Sequence, residues 1–419
     1  MFVPVSLVFN FPVGGTKEDI IDYLSSIHRE LYWKSSDKIQ KFRVWGLSYE
    51  ERYAKDVDLW VHFATKLGNV EEFSLFPYGD ESCPIYQFPQ FGYKNSSMRN
   101  LFLFNCQLNP RASVHWSSLV SLQIGFIELT DCVMERVLSG CPNLECLELI
   151  QLSGIRLLEI RSVKLRELTL IDYYDKNHDI WLEIIAPYIQ QLELLGSFSE
   201  IRIGQRNVAS LVTAKLGLNF RFEDKVRNLE KECSYLKELL HSVAHVENLE
   251  LGTWCIECMS VLELKGWQSP PSRQKLLEIS AIIDQLEFPG ICSFLRNSAE
   301  LETLVIDWHW WCNNESRELL LKCTNEDEQS RRFETHYFNC SLLHLKTIKF
   351  IDCFDLLTKK NSVLPLVKYL LKHATVLEKI VVAARLIGTV ASRDYVKMEQ
   401  EFLGFPRSSP NASIMFSYL

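Results

Sequence analysis

Two short stretches carry the side chains best suited to chemistry. Cys255-Ile256-Glu257-Cys258 offers two thiols at the spacing of half a zinc site, and Asp307-Trp308-His309-Trp310-Trp311-Cys312 gathers an acid, an imidazole and a thiol within six residues. A structural zinc needs four ligands, normally from two such pairs, and the chain has no second CxxC. Cys233, His241 and His245 would complete the set only if the fold brought them near. In the second stretch the groups are chain neighbours, which on an extended strand point to opposite faces, whereas catalytic partners converge from separate elements. Asp307 and Trp308 are therefore read as contact residues, and the tryptophan-rich stretch as packing or a binding hot spot. Val13-Gly14-Gly15-Thr16-Lys17 lacks the G-x-x-x-x-G-K-[ST] spacing of a phosphate loop. No catalytic residue, metal or cofactor is expected.

The whole-chain arithmetic points the same way. With 47% apolar and 23% charged residues the chain is that of an ordered protein. Its 45 basic and 53 acidic residues leave a net charge of −8, which argues against nucleic acid or an anionic membrane as partner. Basic residues do not interleave with aromatics in any sustained run. Met1 to Thr16 is free of acids and bases but contains Pro4 and Pro12, is too short to span a membrane and lacks a basic n-region. No membrane or targeting segment is expected. Thirteen cysteines scattered over a chain of 419 residues read as reduced thiols, placing the protein in cytoplasm and/or nucleus.

The elements that position these residues follow one recurring pattern, apolar-x-x-apolar-x-apolar. It appears at Ile39/Phe42/Val44, Val70/Phe73/Leu75, Met98/Leu101/Leu103, Leu119/Leu122/Ile124, Leu144/Leu147/Leu149, Leu165/Leu168/Leu170 and Ile189/Leu192/Leu194, and more weakly at Val208/Leu211/Thr213. It continues at Val246/Leu249/Leu251, Leu301/Leu304/Ile306, Leu345/Ile348/Phe350 and Leu377/Ile380/Val382. From Met98 to Val208 the units recur close to the leucine-rich-repeat period of roughly 20–29 residues. The last two apolar positions alternate as a short strand with one buried face requires. Between strands lie helix signals: Thr130 or Asp131 before Val133, Val137 and Leu138, stopped by Gly140 and Pro142; a face of Val57, Trp60, Val61 and Ala64; and an amphipathic run from Lys225 to Val243. The expected fold class is α/β, a curved leucine-rich-repeat solenoid with parallel β-strands on its concave face and helices or loops on its convex face. Later units carry insertions, and Lys265–Arg273 and the charged run Cys323–Arg332 are expected as loops. The expected organisation is a capping segment over 1–38, irregular repeats over 39–353 and a divergent C-terminal region over 354–419.

In each repeat the residues four and six positions after the first apolar one point away from the core. In the regular section these are Gln123 and Gly125, Glu148 and Ile150, Thr169 and Ile171, then Glu193 and Leu195. That acidic and apolar stripe suits a protein partner with apolar and basic side chains. The alternative is that Ile150, Ile171 and Leu195 pack under loops or a terminal segment. Eight positions after the first apolar residue stand Cys106, His309 and Cys353, at a slot where such repeats use Asn or Cys to satisfy turn backbone.

Leu138-Ser139-Gly140-Cys141-Pro142-Asn143-Leu144-Glu145-Cys146-Leu147-Glu148-Leu149, with Leu165-Arg166-Glu167-Leu168-Thr169-Leu170, resembles the plant F-box/leucine-rich-repeat family. So does Asp58-Leu59-Trp60-Val61-His62-Phe63-Ala64. Phe288-Pro289-Gly290, Leu370-Leu371-Lys372-His373-Ala374 and Phe405-Pro406-Arg407-Ser408-Ser409-Pro410 look like the FBD module that closes many of its members. The resemblance implies a non-enzymatic module that recruits a protein substrate to a cullin–RING ubiquitin ligase, its F-box docking on the Skp-type adaptor. Met1 to Gly15 is too short for that F-box, and Ile20 to Trp33 lacks its Leu-Pro opening. Adaptor docking is therefore expected only if another surface provides it. The alternatives are a free-standing or decoy interaction protein and, more remotely, a thiol or zinc enzyme.

Overall fold

The computed structural model describes residues 5–11, 16–34, 39–78, 84–173, 182–198, 201–220, 229–281, 283, 285–308, 318–335, 342–351, 364–384, 400 and 403–418. Among the described residues the main sheet has fifteen strands, seven in a first unit built mainly from residues 1–190 and eight in a second built mainly from 191–197 and 211–419, and the repeat pattern accounts for those between Ile39 and Ala384 except Leu276–Ser280 and the shifted Thr213–Phe220.

In the first unit Val5–Asn10, Ile39–Ser48, Glu72–Tyr78, Asn100–Phe104, Ser121–Glu128, Cys146–Ser153 and Glu167–Tyr173 pair in that order, all parallel. Register follows the repeat letter by letter. Phe42, Phe73, Leu101, Leu122, Leu147 and Leu168 form one row across the sheet, and Val44, Leu75, Leu103, Ile124, Leu149 and Leu170 the next. Both rows are buried. The residue after each first apolar position starts the ladder: the Glu71 carbonyl accepts from Arg99 and Asn100, Arg99 from Val120 and Ser121, and Val120 from Glu145 and Cys146. Each strand is thus hung on its predecessor before its side chains enter the core.

Seven positions after the first apolar residue the backbone turns left-handed, at Gly46, Asn105, Phe126, Gln151, Asp172 and Gly196. This conformation costs a side chain least as Gly, Asn or Asp. In the first unit its effect is to bring the next residue inward, so that Leu47, Cys106, Ile127, Leu152 and Tyr173 are all buried.

The connections follow local signals. Lys17–Trp33 opens with a capping box in which Thr16 Oγ1 accepts from Asp19 N (3.2 Å) and Asp19 Oδ2 accepts from Thr16 N (2.8 Å). Ile20, Leu24, Ile27 and Leu31 bury one face of it. Ala54–His62 buries Val57, Trp60 and Val61 and ends in a π turn, Phe63–Leu67. Asp131–Ser139 is capped by Thr130 and stops at Gly140. Helices do not line the whole convex side, however. Leu157–Glu159 and Leu182–Ile185 pair as short parallel strands of a small second sheet, where the expectation was helix or loop.

In the second unit Gln191–Phe198 lies beside Thr213–Phe220, and Thr213–Phe220, Asn248–Gly252, Leu276–Ser280, Thr303–Asp307, Thr347–Ile351, Lys379–Ala384 and Ser413–Tyr418 pair in order, again parallel. Leu276–Ser280 is a repeat beyond those read above: Leu277 and Ile279 occupy its core slots, and its first slot holds Gln274. Lys265–Arg273 is a loop as expected. Cys323–Arg332 is not. It falls largely in the helices Glu318–Cys323 and Glu326–Thr335. Asn325 Oδ1 accepts from Glu328 N (2.9 Å), and the fully buried Gln329 donates to the Leu286 carbonyl (3.1 Å). Arg332 pairs with Glu263 (2.9 Å). Tertiary hydrogen bonds thus hold a run whose charge suggested solvent. Of Lys225–Val243 residues 229–243 are described, as the helix Leu229–Ser242 followed by the buried Val243.

Candidate protein-binding face

Strand alternation sends the fourth and sixth slots of every repeat out of the core. In the first unit the sixth slot reads Trp45, Phe76, Phe104, Gly125, Ile150 and Ile171, and Trp45 faces Phe76, Phe104 faces Gly125, and Ile150 faces both Gly125 and Ile171. The fourth slot reads Arg43, Ser74, Phe102, Gln123, Glu148 and Thr169. Gln123, Glu148, Ile150, Thr169 and Ile171 are all half-buried on this sheet face. The aromatic part was not among the residues singled out from sequence, although the same slots of the three earlier repeats name it.

The rings form a packed cluster. Phe76 lies 5.9 Å from Trp45 and 5.6 Å from Phe104, centroid to centroid. Gly125 makes room for it: a Cβ there would sit 2.6 Å from Phe104 Cδ1 and 3.1 Å from Ile150 Cβ. Phe126 follows in the left-handed region at φ +59°, a strained choice for an aromatic residue. Its ring stacks on Phe76 at 5.7 Å and 18° and stays 37% exposed. Arg43 lies 4.9 Å over the Trp45 ring, and Lys41 pairs with Glu72 at 2.5 Å. Trp45 Nε1 is buried without a hydrogen-bond partner among the described residues. An open groove of about 750 Å³ at the strand starts is lined by Arg99, Asn143, Glu145, Lys164 and Arg166 among others.

In the second unit the slots hold other chemistry. The repeat expected at Val208/Leu211/Thr213 is instead Leu211/Ala214/Leu216, with Ala214 and Leu216 in register with Leu249 and Leu251. The sixth slot therefore reads Leu195, Gly217, Gly252, Ser280, Asp307, Ile351 and Ala383, and the fourth Glu193, Lys215, Glu250, Glu278, Val305, Lys349 and Val381. Glu193 and Leu195 are half-buried, and Leu195 closes over Gly217, where a Cβ would meet its Cδ2 at 2.9 Å. Lys215 Nζ pairs with Glu250 Oε2 at 3.0 Å, and Ser280 Oγ donates to Glu250 Oε1 at 2.9 Å. Partial burial works to lower the Lys215 pKa, but the Glu250 hydrogen bond and the charges of Glu250, Glu193 and Glu278 outweigh it and hold the ammonium above its ordinary range.

Asp307 and Trp308 differ from the expectation of a contact surface. Both are buried, the Trp308 ring stacks on Phe350 at 6.0 Å, and its Nε1 donates to the Ile283 carbonyl at 3.5 Å. Packing against the neighbouring repeat claims them. His309, Trp310, Trp311, Cys312 and Cys353 lie outside the described residues. Cys106 is fully buried, its thiol donates to the Phe104 carbonyl at 3.2 Å, and burial pushes its pKa well up. Cys255 and Cys258 are buried on the helix Thr253–Leu264. Among the described residues no three His, Cys, Asp or Glu side chains meet as a metal site, and no helix is long and apolar enough to cross a membrane.

Comparison with known proteins agrees with this architecture. Residues 34–401 match the family described as At1g61320/AtMIF1, LRR domain. The chain is similar to the Arabidopsis thaliana F-box/LRR-repeat protein At3g03360, at 28% identity over 404 residues covering 93% of this chain and 79% of that one. It is similar to the F-box/LRR-repeat protein At5g02910 of the same plant, at 30% over 289 residues covering 67% and 60%. The putative F-box protein At1g49610, also from Arabidopsis thaliana, is 29% identical over 302 residues covering 69% and 70%. The match over 34–401 and the parallel repeat strands together assign the chain: it belongs to the leucine-rich-repeat domain family of the At1g61320/AtMIF1 type.

Proposed function

We propose that the chain is a non-enzymatic protein-interaction module that holds a partner protein against the sheet face of its first unit, serving as the substrate-recognition part of an SCF-type cullin–RING ubiquitin ligase. The observation that carries this reading is the strip Trp45, Phe76, Phe104, Phe126, Ile150 and Ile171, with its clustered rings. Interface cores are enriched in aromatic residues and Arg, because rigid rings supply apolar area at little entropic cost. At about 25 cal/mol per Å² of apolar area removed from water, such a strip contributes several kcal/mol to association. Gln123, Glu148 and Thr169 beside it, with Arg43 and Lys41 at one end, select which partner fits.

The ligase assignment is supported by the F-box named in the similar proteins. With it go action in cytoplasm and/or nucleus, a capping role for residues 1–38 and an FBD-like character for residues 354–419. The test is a binding titration of the purified chain against the Skp-type adaptor. Micromolar or tighter binding is expected for a ligase subunit. No binding by folded protein would leave an interaction or decoy module without ligase coupling.

A further inference from the structure

Outward positions on Ile39–Ser48, Glu72–Tyr78 and Asn100–Phe104 form a grid. Lys41, Glu72 and Asn100 make its first row and Arg43, Ser74 and Phe102 its second. Trp45 and Phe76 make the third, with the Phe104 ring 5.6 Å from that of Phe76. Ser74, the small residue at the centre, has no exposed surface. Three donors of this grid are buried without a hydrogen-bond partner among the described residues: Arg43 Nε, Trp45 Nε1 and Ser74 Oγ. Arg43 stands one strand spacing, about 5 Å, from Ser74 and one two-residue step, about 7 Å, from Trp45. A buried donor without an acceptor costs stability, and native chains leave few of them. Three side by side call for one acceptor group that serves them together. Charge indicates which. Lys41 and Arg43 share the Glu72 carboxylate unequally, its Oε1 lying 2.5 Å from Lys41 Nζ and 3.6 Å from Arg43 Nη2. The guanidinium is left with a cation–π contact to Trp45 at 4.9 Å and no side-chain hydrogen bond among the described residues. Its side chain keeps 31% of its surface exposed and is free to turn toward a ligand. An open pocket of about 450 Å³ at the strand starts, lined by Lys41, Glu72, Arg99 and Asn100 among others, leads a chain segment to the first row.

We propose that Arg43, Trp45 and Ser74 form a carboxylate-binding subsite of the aromatic strip, and that the partner protein presents to it an Asp or Glu side chain next to an apolar residue. The inference rests on the strip being the face that holds the partner. The carboxylate takes Arg43 through Nε and Nη2, the two-point geometry that guanidinium and carboxylate share. Its two oxygens keep lone pairs for Trp45 Nε1 and Ser74 Oγ, which become reachable as the guanidinium turns off the indole. The apolar neighbour lies on Phe76 and on Phe126, whose ring is 37% exposed. A backbone carbonyl would serve one or two of these donors and leave the guanidinium charge unanswered.

The test selects random unmodified peptides, displayed on phage, for binding to the full chain, and keeps as strip binders those that fail to bind Phe76→Ala. The expected result is that they share an Asp or Glu next to an aromatic or aliphatic residue. Changing that acid to its amide should weaken binding to the wild-type chain by about ten- to a hundredfold, and change little on Arg43→Ala. The wild-type comparison does not depend on any further variant folding. Ser74→Ala adds a readout that a structural role would not give. Its hydroxyl has no partner in the free chain, so urea unfolding should be unchanged or slightly strengthened while acidic peptides lose about threefold or more in affinity. Strip binders without a shared acid, or an acid whose amide binds equally well, would overturn the subsite and leave the strip standing. If no selected peptide depends on Phe76, the strip fails as the binding face and the subsite fails with it.

Discussion

The sheet faces of the two units are built on the same inward letters and differ in nearly every outward one. In the first, the sixth slot carries Trp45, Phe76, Phe104, Gly125, Ile150 and Ile171; in the second it carries Leu195, Gly217, Gly252, Ser280, the buried Asp307, Ile351 and Ala383. Slot four of the second unit instead begins as a charge row, Glu193, Lys215, Glu250 and Glu278, in which Lys215 and Glu250 pair with each other, and continues as Val305, Lys349 and Val381. The repeat thus constrains the core and leaves the face open. One face gathers rings that still have exposed surface; the other neutralises part of its charge internally and has Gly217, Gly252 and Ser280 in the middle of the slot where the first has rings. Exposed ion pairs are worth about 0–1 kcal/mol, whereas a buried aromatic anchor is worth about 2–4 kcal/mol.

The sharpest check on the shared core is a pair of truncations. Leu168→Ala and Leu249→Ala remove wholly or almost wholly buried leucines at equivalent slots of the two units. Each should cost about 2–5 kcal/mol in urea unfolding. A large loss in one with little in the other would break the claim that both units rest on the same packing.

The contrast between the faces is tested next by Phe76→Ala and Trp45→Ala against Glu250→Ala. For a partner enriched on the intact chain, each ring truncation should weaken binding by about 2 kcal/mol or more, some thirtyfold, in a calorimetric titration. Glu250→Ala should cost about 1 kcal/mol or less. Equal losses would erase the distinction.

Gly125→Ala and Gly217→Ala refine it. The first puts a methyl against the Phe104 ring and Ile150 Cβ and should destabilise by about 1–3 kcal/mol in chemical denaturation. The second meets the end of the flexible Leu195 side chain and should cost less. A larger loss at Gly217 would mean that the second face is the more tightly packed.

The smallest effect is electrostatic. The folded-state pKa of Lys215 is raised, so its contribution is fully present below the unfolded lysine pKa near 10.5 and is lost as pH rises through the folded value. Partial exposure screens it to about 1 kcal/mol or less. Stability differences between wild type and Lys215→Met should be flat through neutral pH and shrink in alkali; a difference that instead grows in alkali would reverse the assigned sign.

Much of this molecule is readable from spacing. The core rows and the slots of Gln123, Glu148, Ile150, Thr169 and Ile171 follow from period and alternation alone, whereas residue type narrows the helix cap only to Thr130 or Asp131, of which Thr130 is the cap. The repeat at Leu276–Ser280 escapes because Gln274 fills an apolar slot, and a pattern of residue types cannot tell a buried amide from an exposed one. The aromatic end of the face needs only the same counting carried back to the earlier repeats. Phe126 is different: its left-handed backbone and the stacking it permits depend on Gly125 and Phe76 together. The helix Glu326–Thr335 and the burial of Trp308 likewise depend on contacts far away in the chain, with Leu286, Glu263 and Phe350.

The most direct test of the central claim is photo-crosslinking from a benzoylphenylalanine placed at position 76, compared with one at position 250, in the full chain incubated with a plant-cell extract. The account predicts discrete protein adducts from position 76 that disappear when Trp45→Ala is added, and few or none from position 250. Adducts from position 250 alone, or equally from both, would contradict it.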